Sequence, residues 1–566
     1  MIVGIAFIFF VVIGRVLFVQ IIDGGFLQSK AIDQWTRELP VSASRGLIVD
    51  RNGVVLAGEQ SSYAVYVRPR CVTDAERVSD VISDVLAVDR DEFYKKITVN
   101  PSSEITACRR VDKSIISKLS EYSLDGVYFS EDNTRIYPYN DMLCQVLGYT
   151  SSDGSGQSGL EKRYDAYLGG YDGEVLYEAD LIGKDLSGAK AKYIAATSGL
   201  NLKLTIDYEI QSICDGVMRE AMTEYTPKKV AAVVLDPSNG SVLAMSQLPS
   251  FDLNDVPRDD LNTLNRVGRN TIITDSYEPG STFKILTASA DIEEFLKGNS
   301  KAFSMNYVFN SSRFRSVDGR QVKCWSTHAN GKHANETLAE ALNNSCNPCF
   351  VDIALSLGKN TMYSYINAFG YGKVTGIDFD GEAIGMIVPE STVTNGDLAR
   401  ISFGQTIAVT PLQLAYATAA AVNGGKYYEP RFVSEIYDNN GNIAEVIEPI
   451  YRNRVMSEEA SDILSGFLEG VVEKGSGKQA FIDGYRVGGK TGTAQKYENG
   501  SIAVGKNIMS FVGFFPANEP KYLALCVVDE PVGGAYGSTV AAPLVKKIFD
   551  GIIKSKNIAP FKTGET

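Results

Sequence analysis

Two residues that could form an activated nucleophile stand three positions apart near the middle of the chain, Ser281 and Lys284, in the run Glu-Pro-Gly-Ser-Thr-Phe-Lys. A proline and a glycine interrupt the chain just before Ser281, and the apolar residues that follow predict that a helix begins there. Residues three apart lie on one face of a helix, so we expect the hydroxyl and the amine to point the same way. A hydroxyl beside an amine is one way of activating a nucleophile without a histidine.

Two more polar motifs follow later in the chain, Ser-Cys-Asn at 345–347 and Lys-Thr-Gly at 490–492. A Ser-x-x-Lys match on its own is most often a solvated helix face. The ordered set of Ser-x-x-Lys, Ser-x-Asn and Lys-Thr-Gly is carried by penicillin-binding proteins and serine β-lactamases. On these motifs the chain resembles that family.

The resemblance implies an acyl transfer on a stem peptide of the cell wall. Ser281 would attack the carbonyl of the penultimate D-Ala, and Lys284 would be the base, since an amine buried near a second cation loses its proton near neutral pH. Lys490 is the expected second cation. Ser345 would relay the proton to the leaving group, and the backbone N–H groups of Ser281 and Thr493 would form the oxyanion hole.

The resemblance also implies a set of substrate-binding residues: Asn347, Lys490, Thr491, Gly492 and Thr493. Asn347 would hold the amide backbone of the substrate. Lys490 and Thr491 would offer a charge and a hydroxyl to its terminal carboxylate, and Gly492 would let its backbone lie against the edge of a strand.

The length and composition of the chain argue against several classes of protein. The 566 residues suffice for about two to four domains with a large core, and the apolar fraction of 44% excludes a disordered protein. A net charge of −13 disfavours a nucleic-acid partner. The sequence has only two histidines, His328 and His333, which makes a Ser-His-Asp hydrolase a poor match.

The N-terminal residues 1–22 are apolar apart from Arg15 and Gln20. About 20 such residues are enough to cross a bilayer, and one arginine can reach an interface with its long side chain. A buried core helix or a cleaved signal would give a similar pattern, but no small-residue cleavage site follows closely, which favours an uncleaved anchor. We expect a single-pass protein of a bacterial cell membrane whose catalytic part lies outside the cytoplasm.

Three stretches after the anchor resemble signatures of the pedestal module in class B penicillin-binding proteins. They are Ser-Arg-Gly-Leu-Ile-Val-Asp-Arg-Asn-Gly-Val-Val-Leu-Ala at 44–57, Arg-Ile-Tyr-Pro at 135–138 and Gly-Gln-Ser-Gly-Leu-Glu at 156–161. By its residues alone, the first predicts a strand, an Asn-Gly turn and a second strand. In the family these stretches are structural, so we expect no catalytic role for them.

Secondary-structure patterns predict an α+β protein. Apolar strands at 229–235 and 241–245, and again at 506–515 and 521–528, enclose helical segments and indicate one antiparallel sheet with helices packed on it. The penicillin-recognising fold has this layout. The expected domains are a transmembrane anchor at 1–22, a pedestal (dimerisation-type) domain at 23–185, a linker at 186–199, a transpeptidase domain at 200–558 and a tail at 559–566.

One motif points to a different class of protein. Residues 484–491 match the phosphate-loop pattern GxxxxGK[ST], with Lys490 and Thr491 as its last two residues. Such a loop must leave a strand and enter a helix whose N-terminus faces the phosphate. Gly492 and the run Thr-Ala-Gln-Lys-Tyr that follows predict a strand instead, so we reject a nucleotide site.

A cluster of cysteines and histidines lies beside the Ser-x-Asn motif: Cys324, His328, His333 and Cys346. Three interpretations stay open. Thiolates and imidazoles are ligands for a structural zinc ion, with Cys349 as a substitute for His328. A Cys324–Cys346 disulfide would form outside the cytoplasm and would make activity depend on redox state. Free thiols with solvated histidines are the third interpretation.

The motifs together predict a class B penicillin-binding protein, a membrane-anchored peptidoglycan D,D-transpeptidase and a target of β-lactams. The Cys-Trp and Ser-Cys-Asn-Pro stretches are similar to the elongation and sporulation branch of Gram-positive type. The resemblance implies stem peptides and a lipid-linked precursor as substrates, no cofactor for acyl transfer, and a glycan polymerase of the shape, elongation, division and sporulation (SEDS) family as membrane partner. A D,D-carboxypeptidase and a penicillin-sensing receptor remain alternatives.

Overall fold

The computed structural model describes residues 2–23, 36–99, 104–178, 192–310, 312–328, 333, 335–498, 501–533 and 536–561. The chain divides into two compact units, each made of several segments. The first contains residues 1–47, 58–136 and 166–200, and the second contains residues 48–57, 137–165 and 201–566. The predicted linker at 186–199 and the predicted tail at 559–566 lie partly outside the described residues.

The first described element is an apolar helix, Ile2–Ile21. Its segment Val3–Ile21 has a mean hydropathy of 2.4, and none of it is buried by other described residues. A helix of this length and composition fits a single-pass membrane anchor, as the sequence predicted.

The first unit is built on antiparallel strands. Residues 58–67 of the strand Val55–Val67 pair with Ile105–Val111 and with Val127–Ile136. Val65 and Val67 of this sheet are buried against apolar helix residues. The helices are Ala75–Leu86, Arg90–Val99 and Lys113–Glu121. A second antiparallel sheet consists of Thr36–Val41, Gly173–Glu178 and Lys192–Ile194.

A five-stranded antiparallel sheet, the central sheet, organises the second unit. In spatial order its strands are Ser241–Leu248, Lys229–Asp236, Tyr522–Asp529, Ser501–Phe515 and Gly488–Glu498. Six consecutive residues of Lys229–Asp236 are buried. Since successive side chains of a strand point to opposite faces, both faces of the sheet are covered here. Gly488–Glu498 lies at one edge of the sheet, opposite Ser241–Leu248, and is here called the edge strand.

Helices provide that cover. Tyr208–Tyr225 and Gly537–Ser555 contribute apolar side chains such as Phe549 to a core shared with the central sheet. Asp207 begins the first of them by accepting hydrogen bonds from the N–H groups of the first turn, which satisfies donors that a helix leaves unpaired. Three further helices pack against one another in this unit: Lys284–Leu296, Pro411–Val422 and Glu458–Glu473.

The remaining elements of the second unit are short. Its other strands are Ile48–Val49, Asn201–Leu204, Phe314–Val317, Arg320–Lys323, Met386–Ile387, Ile407–Ala408, Lys426–Tyr428, Val433–Tyr437, Ile443–Val446 and Tyr451–Arg454. Its other helices are Cys144–Leu147, Gly159–Arg163, Leu261–Gly268, Thr271–Thr274, Leu338–Asn344, Asn347–Leu357, Lys359–Ala368, Asn395–Ile401 and the 3₁₀ turn Lys478–Ala480.

The predicted α+β fold is confirmed, and the predicted strand pairs 229–235 with 241–245 and 506–515 with 521–528 both form in the central sheet. The rejected phosphate loop is strand from Gly488 onward, so no helix follows its lysine. The helix expected at Ser281 differs in one detail. It begins as a single 3₁₀ turn, Gly280–Phe283, before the α-helix starts.

Candidate active site

Ser281 lies on a tight turn that enters a buried helix. Gly280–Phe283 forms the 3₁₀ turn, and Lys284–Leu296 continues from it. In a 3₁₀ turn residues three apart eclipse one another, which places Ser281 and Lys284 on the same side. Ser281 lines an open cleft, whereas the side chain of Lys284 is fully buried. The pair thus combines a hydroxyl at the cleft with an amine in the protein interior.

The amine of Lys284 connects the first motif to the second. Its Nζ donates to the main-chain oxygen of Ser345 at 2.8 Å, to Ser345 Oγ at 3.1 Å and to Asn347 Oδ1 at 2.7 Å. It also lies 5.2 Å from the centre of the Phe350 ring. A buried amine without such partners would be strongly destabilising, so the second motif is what allows Lys284 to be buried.

Two consecutive helices present the Ser-x-Asn motif. Leu338–Asn344 ends at Ser345, whose φ of 56° is left-handed, and Asn347–Leu357 begins two residues later. A left-handed serine is unfavourable, and such backbone strain is found preferentially at functional sites. The sharp turn brings Ser345 Oγ and Asn347 Oδ1 to the same nitrogen of Lys284.

The third motif lies on the edge strand of the central sheet. Lys490 is fully buried, and its Nζ donates to Ser345 Oγ at 3.0 Å. The same nitrogen is 3.4 Å from both oxygens of Thr491, and Thr491 Oγ1 is 3.3 Å from Ser476 Oγ. The hydroxyl of Ser345 is therefore shared by lysines from two motifs, and the structure brings all three motifs together.

Burial and proximity change the acidity of both amines. Burial lowers the pKa of Lys284 to about 8, although the neighbouring thiol of Cys324 opposes the shift. Burial and the charge of Lys284 lower the pKa of Lys490 well below its ordinary value. Two ammonium groups that share one acceptor disfavour each other, so the network holds one charge more readily than two. An amine is thereby available as a base near neutral pH.

Glycines allow the edge strand to lie against the turn that carries Ser281. Gly280 has a φ of 55°, and a Cβ there would lie 2.8 Å from Thr493 O. A Cβ on Gly492 would overlap Ser510 Oγ and would lie 2.9 Å from Pro279 O. The space that a side chain at position 492 would need is therefore occupied by other protein atoms. The Lys-Thr-Gly motif alone did not reveal this packing requirement.

A cleft of about 740 Å³ runs along these residues. The predicted catalytic and substrate-binding residues that line it are Ser281, Ser345, Asn347, Thr491 and Thr493, and the predicted metal ligand Cys324 lines it as well. Lys284 and Lys490 are fully buried and reach this wall through their hydrogen bonds to Ser345. Two hydroxyl groups and a buried amine of lowered pKa beside a concave cleft are the kinds of group that acyl transfer requires.

Sequence reasoning missed two aromatic residues at the cleft. Trp325 donates through Nε1 to the main-chain oxygen of Ser345 at 3.1 Å. Its ring meets that of Tyr536 edge-on, with 6.0 Å between the centroids. The only signal in the sequence was the Cys-Trp pair, which indicated a branch of the family but no contact.

The predicted cysteine–histidine cluster does come together. The sulfur atoms of Cys324 and Cys346 and one ring nitrogen each of His328 and His333 all lie within 4.8 Å of one another. Cys324 Sγ is 3.8 Å from His333 Nδ1, and Cys346 Sγ is 3.9 Å from His328 Nε2. The rings of the two histidines stack with 4.8 Å between their centroids, and both residues have a left-handed backbone conformation.

The four donor atoms are close enough together to hold a metal ion. Bonds of about 2.3 Å to sulfur and about 2.0 Å to nitrogen place such ligands roughly 3.6 Å apart around a tetrahedral centre. The two sulfur–nitrogen distances of 3.8 and 3.9 Å are close to this value. Cys324 and Cys346 are both free thiols. Cys349 lies in a separate group with Glu336 and Cys346, so the geometry favours His328 over it as a ligand.

Comparisons with known proteins relate this geometry to a family. The sequence profile of the penicillin-binding protein transpeptidase domain matches residues 230–550, and that of the penicillin-binding protein dimerisation domain matches residues 40–204. Stage V sporulation protein D of Bacillus subtilis is 38% identical over 559 residues, which cover 98% of this chain and 85% of that protein. Peptidoglycan D,D-transpeptidase FtsI of Escherichia coli K12 is 29% identical over 556 residues, covering 97% and 90%.

Solved structures share the fold. A peptidoglycan synthetase from Bifidobacterium adolescentis has a TM-score of 0.74 at 24% identity and covers 94% of this chain and 98% of its own. Penicillin binding protein 3 from Mycobacterium tuberculosis, complexed with aztreonam, has a TM-score of 0.70 at 24% identity and covers 92% and 98%.

Proposed function

The chain belongs to the penicillin-binding protein transpeptidase family, and we propose that it is a membrane-anchored peptidoglycan D,D-transpeptidase that crosslinks stem peptides through an acyl-enzyme on Ser281. The observation that carries the proposal is the shared hydroxyl of Ser345. It accepts hydrogen bonds from Lys284 at 3.1 Å and from Lys490 at 3.0 Å. The cleft beside this network is the one that Ser281 lines.

In the acylation step that we propose, the proton leaves Ser281 as its Oγ attacks. The neutral amine of Lys284 takes this proton while Oγ bonds to the carbonyl carbon of the penultimate D-Ala. The backbone N–H groups of Ser281 and Thr493 stabilise the negative charge on the carbonyl oxygen. When the peptide bond breaks, the terminal D-Ala leaves as an amine, and Ser345 passes it the proton from Lys284.

The same cleft binds the substrate in this proposal. Asn347 holds the amide backbone of the donor peptide, while Lys490 and Thr491 attract its terminal carboxylate. Gly492 lets the edge strand pack against Pro279, and Thr493 of the same strand lines the cleft beside the donor. Two observations support these roles. Asn347, Thr491 and Thr493 line the cleft, and Lys490 donates a hydrogen bond to Ser345, which also lines it. No cofactor is needed for this chemistry.

The fate of the acyl-enzyme separates the candidate functions. In a transpeptidase, the amine of a second stem peptide attacks the ester carbonyl, the ester bond breaks, and Ser281 regains its proton. In a D,D-carboxypeptidase, water is the acceptor, and in a penicillin-sensing receptor the ester persists. The match to the dimerisation domain and the relatives named as transpeptidases favour the first.

A crosslinking assay distinguishes these three outcomes. The full chain is incubated with polymerised lipid-linked precursor, and the muropeptides are analysed by mass spectrometry beside Ser281→Ala. We expect crosslinked dimers that have lost one D-Ala per crosslink, and none with the variant. Trimmed monomers alone would identify a carboxypeptidase, and acylated protein without any product would identify a receptor.

The same nucleophile would make the protein a target of β-lactams. Ser281 would attack the strained amide of a β-lactam in place of the donor peptide bond. The C–N bond of the ring would break, its nitrogen would take the proton, and a stable ester would remain on Ser281. The fold is shared with a protein whose structure is described as complexed with aztreonam, which supports this extension to the chain.

Membrane partners are a further part of the proposal. The helix Ile2–Ile21 would anchor the protein in the bacterial cell membrane, with the catalytic unit outside the cytoplasm where stem peptides are crosslinked. A SEDS-family polymerase would supply the glycan strands. We propose the domain division stated above, with the pedestal at 23–185 and the transpeptidase domain at 200–558.

For the cysteine–histidine cluster we propose a structural zinc ion held by Cys324, His328, His333 and Cys346. Cys346 stands between the two polar residues of the Ser-x-Asn motif, so an ion here would brace the wall of the cleft. Metal analysis with a thiol count tests this proposal against the disulfide. One zinc per chain supports it, whereas a mass lower by two hydrogens with no metal supports a Cys324–Cys346 disulfide.

A further inference from the structure

Glu278, three residues before the proposed nucleophile, contacts a distant part of the chain. Its Oε1 accepts a hydrogen bond from the N–H of Thr406 at 2.9 Å, across 128 positions of sequence. Thr406 belongs to the segment 402–406, here called the supporting turn, which joins the helix Asn395–Ile401 to the strand Ile407–Ala408. The contact therefore links the segment before the nucleophile to a separate element of the second unit.

This hydrogen bond is made at a strained backbone position. Thr406 has a φ of 62°, a left-handed conformation that is rare for a β-branched residue. Such a conformation persists only where the surrounding structure holds it. Among the described residues, two side chains bind Thr406: Glu278 accepts from its N–H, and Arg400 Nε donates to its Oγ1 at 3.1 Å. Glu278 is thus the side chain that holds the main chain of the strained residue.

The supporting turn in its own right holds the residue that precedes Ser281. The N–H of Gly280 donates to the main-chain oxygen of Gly404 at 3.0 Å. The two backbones are in close contact, because a Cβ on Gly404, whose φ is 79°, would overlap the oxygen of Gly280. The position of Gly404 therefore determines where the chain enters the turn that carries Ser281.

Main-chain hydrogen bonds continue on the other side of Glu278. Tyr277 and Val409 exchange two of them, at 3.0 and 2.9 Å. Glu278 and Thr406 lie between this pair and the contact of the two glycines. Their hydrogen bond is therefore the side-chain link in a row of contacts that leads to the nucleophile.

The two oxygens of the Glu278 carboxyl group have different surroundings. Oε1 accepts from Thr406, whereas Oε2 is buried and no described residue donates to it. Burial raises the pKa of Glu278, although the N–H of Thr406 opposes the shift. A buried polar atom without a partner is costly, so the side chain must provide something in return. What it provides here is one acceptor for one strained N–H group.

We propose that Glu278 is a positioning residue for acylation: it holds Thr406 in the left-handed conformation, and the supporting turn then places Ser281 for attack. The inference rests on the proposed function, in which Ser281 is the nucleophile. Glu278 is not among the described residues that line the cleft. It therefore acts through the supporting turn and not on the substrate.

The test measures the second-order rate constant for acylation of the full chain by a fluorescent penicillin. Glu278→Ala leaves the N–H of Thr406 without its acceptor, so we expect the rate constant to fall by about 10-fold or more. Glu278→Gln removes the charge but keeps an oxygen that can accept the same hydrogen bond. Its rate constant should stay within about 3-fold of the wild-type value.

Thr406→Gly shows whether Glu278 acts through the supporting turn. Glycine adopts a positive φ without strain, so the turn should no longer need the glutamate. We expect Glu278→Ala to lower the rate constant by less than about 3-fold in the Thr406→Gly background. The loss of the threonine hydroxyl affects both members of this second pair and cancels in their ratio. A role in general stability would give the same ratio in both backgrounds.

Glu382→Ala is the matched control. Glu382 accepts from the N–H groups of Thr375 at 2.6 Å and Gly376 at 3.2 Å, and it is not among the described residues that line the cleft. This variant loses comparable hydrogen bonds away from the nucleophile and should keep the wild-type rate constant. If Glu278→Ala does not fold, Glu278→Asp replaces it. The shorter side chain withdraws the acceptor by one methylene, and the rate constant should again fall.

Three results would overturn the positioning role. They are a wild-type rate constant in Glu278→Ala or its substitute, a loss in Glu278→Gln as large as in Glu278→Ala, and an equal loss with and without Thr406→Gly. Any of these in a wild-type chain that is acylated refutes the role of Glu278 alone. Folded wild-type chain that forms no adduct refutes the proposed function and this role with it.

Discussion

Trp325 donates its indole N–H to the main-chain oxygen of Ser345 at 3.1 Å, and Lys284 donates to the same oxygen at 2.8 Å. The tryptophan thus holds a serine whose φ of 56° is unfavourable and whose hydroxyl contacts two lysines. Trp325 itself is 56% exposed. We therefore expect Trp325 to affect the position of Ser345 more than the stability of the fold.

Trp325→Phe should lower the rate of acylation by a penicillin by about 3- to 30-fold, because it removes one hydrogen bond from Ser345 while it keeps an aromatic ring. The melting temperature should change by less than about 2 °C. Stopped-flow fluorescence with a labelled penicillin measures the rate. Tyr307→Phe, an exposed aromatic position outside the cleft, is the control. An unchanged rate in Trp325→Phe would show that the indole does not position Ser345.

Gly492→Ala should reduce acylation by at least about 10-fold, since a displacement of about 1 Å at a reacting group can cost that much or more. The new methyl group would lie 2.9 Å from Pro279 O and 3.0 Å from Thr282 Cγ2, so the edge strand must move away from Ser281. Gly466→Ala is the matched control, because a Cβ there meets no atom within 4 Å. If both variants acylate at the wild-type rate, the close approach of the strand is not required.

The rate of acylation should rise with pH. Burial lowers the pKa of Lys284 to about 8, and only the neutral amine can accept the proton of Ser281. The second-order rate constant for a penicillin should therefore increase between about pH 6 and 9 with an apparent midpoint of about 8, after subtraction of drug hydrolysis measured without protein. A rate that stays constant over this range would indicate that another group is the base.

A buried carboxyl group should make stability depend on pH. Burial raises the pKa of Asp291 to about 7, although the N–H of Phe303 donates to it at 3.0 Å. A raised pKa means that the protonated form is favoured in the folded state. Its stabilising effect is present below about pH 4 and is lost as the pH rises towards about 7.

Asp291→Asn removes this titration. The free energy of unfolding of the variant should therefore increase relative to the wild-type protein between pH 4 and 7, by up to about 4 kcal/mol for a pKa raised from 3.8 to about 7. Urea unfolding of both proteins at several pH values measures the difference. A difference that is constant with pH would contradict the buried, protonated state of Asp291.

Proximity between residues could be predicted from the sequence where the residues share a short motif. Ser281 and Lys284 are neighbours through local helix geometry, so their spacing of three residues is enough to predict their proximity. The contact between Lys490 and Ser345 joins residues 145 positions apart. Only the order of the motifs and the resemblance to a family indicated it, since periodicity contains no information on such distant contacts.

Other features depend on tertiary packing and left no readable signal. The left-handed backbone of Ser345 is set by two helices that meet at it, and serine has no general preference for that conformation. The contact from Trp325 to Ser345 depends on how the chain between them folds back. The packing of Gly492 against Pro279 likewise appears only once the edge strand has been placed.

The most direct test of Ser281 as the nucleophile is intact-protein mass spectrometry of the full chain after incubation with a penicillin, beside Ser281→Ala. We expect one covalent adduct per wild-type chain, located at Ser281 by peptide mapping, and none in the folded variant. An adduct that persists in Ser281→Ala, or folded wild-type protein that forms no adduct with any of several β-lactam classes, would contradict the assignment of Ser281.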